Sequence, residues 1–212
     1  YSKFSADIER QSRSNIRYYI VTGYIGDHRF AYWRQNAKML RDKLRSNGAK
    51  KIIAFLDENT YDDPLWNPGH HTAQEAYGFL LQKLLDHPWL GLVIKPKTPF
   101  NLRARLGPVN ELLKIAEATG RCFIYEEGGV QSSHPPVAAA LASDLAIHTD
   151  VVAASAGLEM ALSGIPTLLI DSGGWAKSPL YTLGLERVIF RDWMSLWNAC
   201  NESWRSGGRE SG

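Results

Sequence analysis

The chain reads as an α/β protein: a doubly wound, mostly parallel sheet of about six to seven strands. Two observations carry this reading. Strand-like and helix-like segments alternate along nearly the whole chain. The strand-like segments, among them KIIAFL at 51–56 and GLVIK at 91–95, are continuous apolar runs. Strands covered on both faces look like this, whereas half-exposed strands alternate.

The elements follow in order. Residues 17–22 (RYYIVT) read as a first strand ending at Gly23. Phe30, Trp33, Ala37, Leu40 and Leu44 recur at helical spacing, which predicts an amphipathic helix over 29–46, stopped by Asn47 and Gly48. Residues 51–56 are a second strand. Residues 57–71 are polar, carry Pro64, Pro68 and Gly69, and form a long loop. Thr72 to Glu75 fits a capping box, and Tyr77, Leu80, Leu81, Leu84 and Leu85 share one face of the helix behind it. Residues 91–95 give a third strand, 109–118 a helix closed by Gly120, and 122–125 a fourth strand. A short helix over 136–142, a strand over 144–148, a helix over 158–163 and a strand over 167–171 come next. Residues 187–190 offer a seventh strand, and Asp192 caps a last helix with Trp193, Leu196, Trp197 and Cys200 inward. Residues 1–15 read as a polar arm or linker stub, 16–205 as the folded domain, and 206–212 as a disordered tail.

Composition excludes several classes. The 212 residues carry 24 Lys and Arg against 22 Asp and Glu, a balance that gives no nucleic-acid footprint by net charge. No apolar run approaches the ~20 residues of a membrane helix. Two cysteines, Cys122 and Cys200, are too few for a disulfide framework, which points to a reducing cytoplasm. Trp66, Trp89 and Trp175 fall in loops or at element ends, where an aromatic serves either a ligand or the edge of the core. His70 and His71 lie near Asp62 and Asp63, but no metal-ligand spacing joins them, and no metal is expected. Neither a Walker loop nor G-x-G-x-x-G after a strand occurs, and a G-x-S-x-G elbow is missing.

Ligands on doubly wound sheets dock at the carboxyl ends of the strands. The segments there are rich in glycine and charge: Gly23, Gly26, His28 and Arg29 after the first strand, Asp57 and Glu58 after the second, Lys95 and Lys97 after the third, Glu126 to Val130 after the fourth. After the fifth comes ASAGLEMALSGIP, residues 154–166, almost free of charge. Ser155 is the natural N-cap there, with Ala156 and Gly157 in the first turn. Bare side chains leave the first N–H groups open to an anion, which the helix dipole favours. Glu159, one turn in, is placed either to compensate the dipole or to accept hydrogen bonds from ribose hydroxyls.

From Gly91 to Ala199 the chain resembles the C-terminal, nucleotide-binding domain of GT-B fold glycosyltransferases, nearest to bacterial enzymes of surface and capsular polysaccharide synthesis. The run LASDLAIHTDVVAASAGLEMALSGIPTLLID is similar to the family's strand, small-residue helix start, Glu, A-L-x-G-x-P and next strand. LLDHPWLGLVIKPK, RCFIYEEGGV and VIFRDWMSLWNA resemble its basic Lys-Pro segment, its base-cupping loop and its closing strand and helix. The resemblance implies one Rossmann-like half of a GT-B fold, a nucleotide-sugar as substrate and no cofactor besides it. It gives Ser155, Ala156 and Gly157 the donor phosphate, Glu159 the ribose, and Glu127, Gly128, Gly129 and Val130 the base. Arg29, Lys95 or Lys97 would neutralise the leaving group, and His28 or His134 would assist its departure. An acceptor glycan and an N-terminal acceptor domain are implied partners. The latter does not fit in the roughly 16 residues ahead of the first strand, and with Tyr1 in place of Met the chain reads as part of a longer protein. No nucleic acid is expected, and the protein is expected in the cytoplasm or peripherally on the membrane's inner face. A hydrolysing nucleotide-sugar epimerase, with Asp57, Glu126 and Glu127 as rim carboxylates, and a non-catalytic interaction module are the alternatives.

Overall fold

The computed structural model describes residues 3–13, 15–24, 26–63, 69–128 and 132–205. Helix α1 (Lys3–Gln11) is followed by an extended segment and by α2 (His28–Ser46). Strand β1 (Lys51–Leu56), α3 (His70–Asp86) and β2 (Leu90–Lys95) form the first crossover unit. Next come α4 (Leu102–Leu106), α5 (Val109–Ala118), β3 (Cys122–Ile124), α6 (Pro136–Ala140) and β4 (Leu145–His148). Helix α7 (Ser155–Leu162), β5 (Thr167–Ile170), β6 (Ile189–Phe190) and α8 (Trp193–Arg205) complete the fold.

The six strands stand in the order β3-β2-β1-β4-β5-β6 and every neighbouring pair is parallel. The order reverses between β1 and β4, so the crevice that doubly wound folds use for ligands opens there. β1 is the most deeply covered strand: Ile52 to Leu56 are all at most 1% exposed. On one face of the sheet, Tyr77, Leu80, Leu81 and Leu84 of α3 pack with Leu113 of α5 and Trp193, Leu196 and Trp197 of α8. On the other, Ala37, Leu40 and Leu44 of α2 meet Ala138 to Ala140 of α6 and Met160 of α7. Each fully buried leucine contributes about 1.5–3 kcal/mol. The heptad-like spacing read from Phe30 to Leu44 and from Tyr77 to Leu85 is this pair of inward faces.

The structure departs from the sequence reading in four places. Residues 17–22 form no strand. The sites beside β1 belong to β2 and β4, and Tyr18, Ile20 and Val21 stand 73%, 79% and 59% exposed on an extended segment. Strand propensity is a fit to a pleated, half-buried surface, and this run has no such surface to join. The polar arm contains α1. Helix α3 begins two residues before the capping box, on Gly69, with the His70 N–H donating to Asp62 Oδ1 at 2.8 Å. Ser155 is the first residue of α7 rather than its N-cap. The N-cap is Ala154, in a left-handed conformation with φ 47°. The six strands among the described residues match the six to seven expected, and α4 fills a stretch that the sequence reading left open. The tail, 206–212, lies outside the described residues, as do Trp66, Gly129 and Val130. Asp192 does cap α8, accepting from Ser195 N–H at 2.8 Å.

Candidate functional site

Two hollows open on the carboxyl rim of the sheet. One is a cleft of about 350 Å³ lined by Arg29, Lys95, Lys97, His134, Pro135 and Glu159, among others. The other is a cavity of about 410 Å³ that reaches from α3 across the β1–β4 crevice to the loop after β5.

The cleft brings together residues drawn from distant parts of the sequence. Lys95 ends β2, beside Leu56 of β1. Its ammonium makes no hydrogen bond or ion pair with any described residue. Burial holds its pKa below the usual lysine value, although Asp57, Glu159 and Glu58 pull the other way. Arg29, in the first turn of α2, reaches the same cleft from above. Lys97 lines it too, but its ammonium is bound to Glu58. Burial would raise the Glu58 carboxyl, yet hydrogen bonds from His148 and Lys97 outweigh that and hold it below the usual range. His28, one residue before Arg29, is exposed and lines neither hollow.

Glu159 is buried, with 8% exposure, and both its oxygens are engaged. Oε1 accepts from the Val137 N–H at 3.0 Å, which satisfies a first-turn donor of α6. Oε2 accepts from the Tyr24 hydroxyl. Glu159 therefore fastens α6 and the segment before α2 to α7, a role that neither the dipole nor the ribose reading included. Gly26 is bare because the Tyr24 ring folds back over it: a Cβ there would lie 2.7 Å from the ring. Gly23, with φ 71°, turns the chain in open space and does not stand at a strand end.

The start of α7 divides its work. Asp150 accepts from the amides of Val152, Ala153 and Ala154 at 2.7, 3.2 and 2.7 Å. Its carboxylate thus fills the nest ahead of the helix and holds Ala154 in its strained conformation. The next three amides, of Ser155, Ala156 and Gly157, lie beyond the reach of intrahelical acceptors. Gly157 is buried, and a Cβ on it would stand 2.9 Å from Leu169 Cδ2 and 3.3 Å from His148 Nδ1. Its bareness is thus required by close packing of α7 on β4 and β5. His148 is fully buried, with Nε2 3.2 Å from Glu58 Oε1.

The remaining residues that the sequence pointed to are spread around the rim. Glu127 is exposed, 3.9 Å from His134 across its carboxylate, and Gly128 is bridged to Ser132. Glu126 is bound by Arg103 at 3.0 Å. Asp57 is buried with Arg105, Nη2 to Oδ2 at 2.9 Å, and also accepts from Tyr77 and from the Lys97 amide. Sequence reading missed Tyr24 and Arg105, whose partners lie 135 and 48 residues away with no local signal. It also missed the Asp150 cap, which the pattern of an Asp ahead of small residues does announce.

No protein-family model matches the chain, and no curated protein matches it in sequence. Solved structures do share its fold. The C-terminal CMP-Kdo binding domain of WaaA from Acinetobacter baumannii is similar at TM-score 0.51 and 13% identity, over 83% of this chain and 92% of that one. The trehalose-6-phosphate phosphatase N-terminal domain of Candida albicans is similar at TM-score 0.51 and 15% identity. That match covers 89% of this chain, which spans 39% of the Candida chain. The C-terminal domain of a group 1 family glycosyl transferase, LpcC, from Francisella tularensis gives TM-score 0.46 at 14% identity. In fold, the chain is a Rossmann-like domain with a six-stranded parallel sheet, like the WaaA domain. No helix among the described residues is long and apolar enough to cross a membrane.

Proposed function

We propose that the chain is the donor-binding domain of a glycosyltransferase, holding a nucleotide-activated sugar in the cleft between α2, β2 and α7. The observation that carries this is Lys95: a half-buried ammonium without a bound partner, beside Arg29, on the rim that the fold uses for ligands. A buried cation is costly unless an anion meets it, so the cleft favours one. A phosphate in the cleft would meet both cations. In transfer, an acceptor hydroxyl attacks the anomeric carbon and gives its proton to a base of the acceptor-binding domain, the bond to phosphate oxygen breaks, and the nucleotide leaves with the electron pair. Arg29 and Lys95 would stabilise the charge that grows on it. The acceptor would come from a further domain, as in the two-domain architecture this fold belongs to. Surface polysaccharide is the product class that the sequence resemblance suggests.

The epimerase alternative asks for carboxylates able to move protons in a closed cleft. Asp57 and Glu126 are instead bound to arginines, and Glu127 is 81% exposed. Calorimetric titration with UDP, GDP, CDP and CMP tests the donor reading. At least one nucleotide is expected to bind. Lys95→Ala is expected to weaken it by about tenfold or more, since a charged hydrogen bond is worth about 1.5–3 kcal/mol. No response to any of the four at millimolar concentration would sink the reading.

A further inference from the structure

The second hollow has the opposite chemistry to the first. Glu58, Asp150 and Asp171 line it together with Thr149, Tyr61 and Trp175. Its cations are already committed: Lys97 to Glu58, and Arg105, behind the wall, to Asp57. Three of the four lining carboxylates are also spoken for: Asp57 by Arg105 and Tyr77, Glu58 by His148 and Lys97, and Asp150 by three backbone amides. Asp171 is different. It is 4% exposed, its Oδ2 accepts from Tyr181 at 2.6 Å, and its Oδ1 has no hydrogen-bond partner among the described residues. A buried carboxylate oxygen without a donor is expensive, and only a donor relieves it. The indole of Trp175 lies over the loop beside Asp171. It does so because Gly173 is bare, since a Cβ there would stand 2.5 Å from its Nε1. The ring remains 52% exposed, with area left for a ligand to cover.

We propose that this cavity takes a sugar ring bearing hydroxyl or amino groups, stacked on Trp175 and donating a hydrogen bond to Asp171, and rejects sugars that carry a carboxylate. Carboxylate acceptors beside an aromatic face suit a ring with donors on its edge and C–H groups on its face. An acidic group would meet the lining carboxylates, with the lining lysine, Lys97, held by Glu58, and with Arg191, outside the lining, on the Tyr181 hydroxyl. Its volume, about 410 Å³, lies within the range of small-ligand pockets, about 300–1,000 Å³. The two hollows flank the start of α7, so a donor with its phosphate on that helix can lay its sugar here. That source of the sugar rests on the donor-site reading, whereas the selectivity rests on the cavity alone.

The test is a titration of the whole chain followed by ¹⁵N-resolved NMR, with the Trp175 indole resonance assigned through Trp175→Phe. Methyl glucoside, glucosamine, glucuronate and inorganic phosphate are added in turn. Methyl glucoside and glucosamine are expected to shift the Trp175 indole and the Thr149 and Ser172 amides, and the other two to leave them in place. Asp171→Asn keeps an oxygen for Tyr181 but presents an amide donor, and is expected to weaken sugar binding about tenfold or more, the size of one hydrogen bond to a charged group. Trp175→Ala is expected to weaken it at least as much. The inference is overturned if glucuronate or phosphate moves these resonances as far as methyl glucoside does. It is equally overturned if no sugar moves them, or if both variants bind like the wild type. Nucleotides are read separately at Lys95 and Gly157. Sugar shifts without nucleotide shifts would retire the donor reading alone, and the converse would retire this inference alone.

Discussion

Lys95 and Lys97 differ by two positions and point into the same cleft, yet they are not equivalent. Lys97 is held by Glu58, and its backbone N–H is bound by Asp57 at 2.6 Å. Lys95 has no such partner. Lys97→Ala is therefore expected to change nucleotide affinity less than threefold, against about tenfold or more for Lys95→Ala, read side by side by calorimetry. Glu58 gives a second expectation. Its carboxyl is held below the usual value of 4.5 by His148 and Lys97 against the upward pull of burial. A carboxyl depressed in the folded state adds stability above its unfolded pKa, and that stability is lost as pH falls through the folded value. Denaturation free energies measured across the acid limb, below pH 4.5, should fall more steeply for the wild type than for Glu58→Gln. Parallel curves would show that the His148–Glu58–Lys97 chain does not couple to folding.

Helix α7 was the most legible functional feature in the sequence, and also the one whose meaning moved furthest. Its place after β4 and its small residues could be read directly from the run 154–166. What could not be read was how many demands the run already meets. Gly157 is bare for Leu169 and His148, the nest is filled by Asp150, and Glu159 is spent on α6 and Tyr24. Local patterns report a helix start, but they do not report which distant side chain packs on it. A bulky residue at Gly157 would disturb folding as well as ligand, so Lys95 is the cleaner probe of binding. Gly157→Ala is itself informative about packing. Alanine gains at most ~1 kcal/mol of helix propensity over glycine, while forcing a methyl into a filled site costs ~1–3 kcal/mol. The expected result is a net loss of about 1 kcal/mol in urea denaturation, with α7 still formed by far-UV circular dichroism. A stabilised variant would mean that Leu169 yields freely and that the glycine is not there for packing.

The layered core as a whole follows from continuous apolar strands and one-sided helices, which is why the doubly wound sheet could be foreseen. The single misplaced strand, 17–22, shows the limit of that logic. Its composition is strand-like, but a strand is defined by its neighbours, and here β2 and β4 already occupy both sides of β1. The sheet and its two packed faces should then stand without this segment. Of the residues between Lys3 and Thr22 whose burial is described, Ala6 is buried, while Ile8, Ile16, Tyr18, Ile20 and Val21 are exposed. Tyr24 ties the chain to the rim through its bond to Glu159. Removal of residues 1–22 is expected to shift the melting temperature by no more than about 3 °C. In a chain of this size about 1 kcal/mol corresponds to roughly 2–4 °C, and one small buried alanine is worth no more than that. Removal through residue 24 takes the Tyr24 hydroxyl as well and should cost a further ~1 kcal/mol, with the Val137 amide of α6 exchanging faster with solvent. A large loss of stability on the first truncation would show instead that the exposed run packs against the domain in solution. An unchanged Val137 exchange rate on the second would show that Glu159 holds α6 without help from Tyr24.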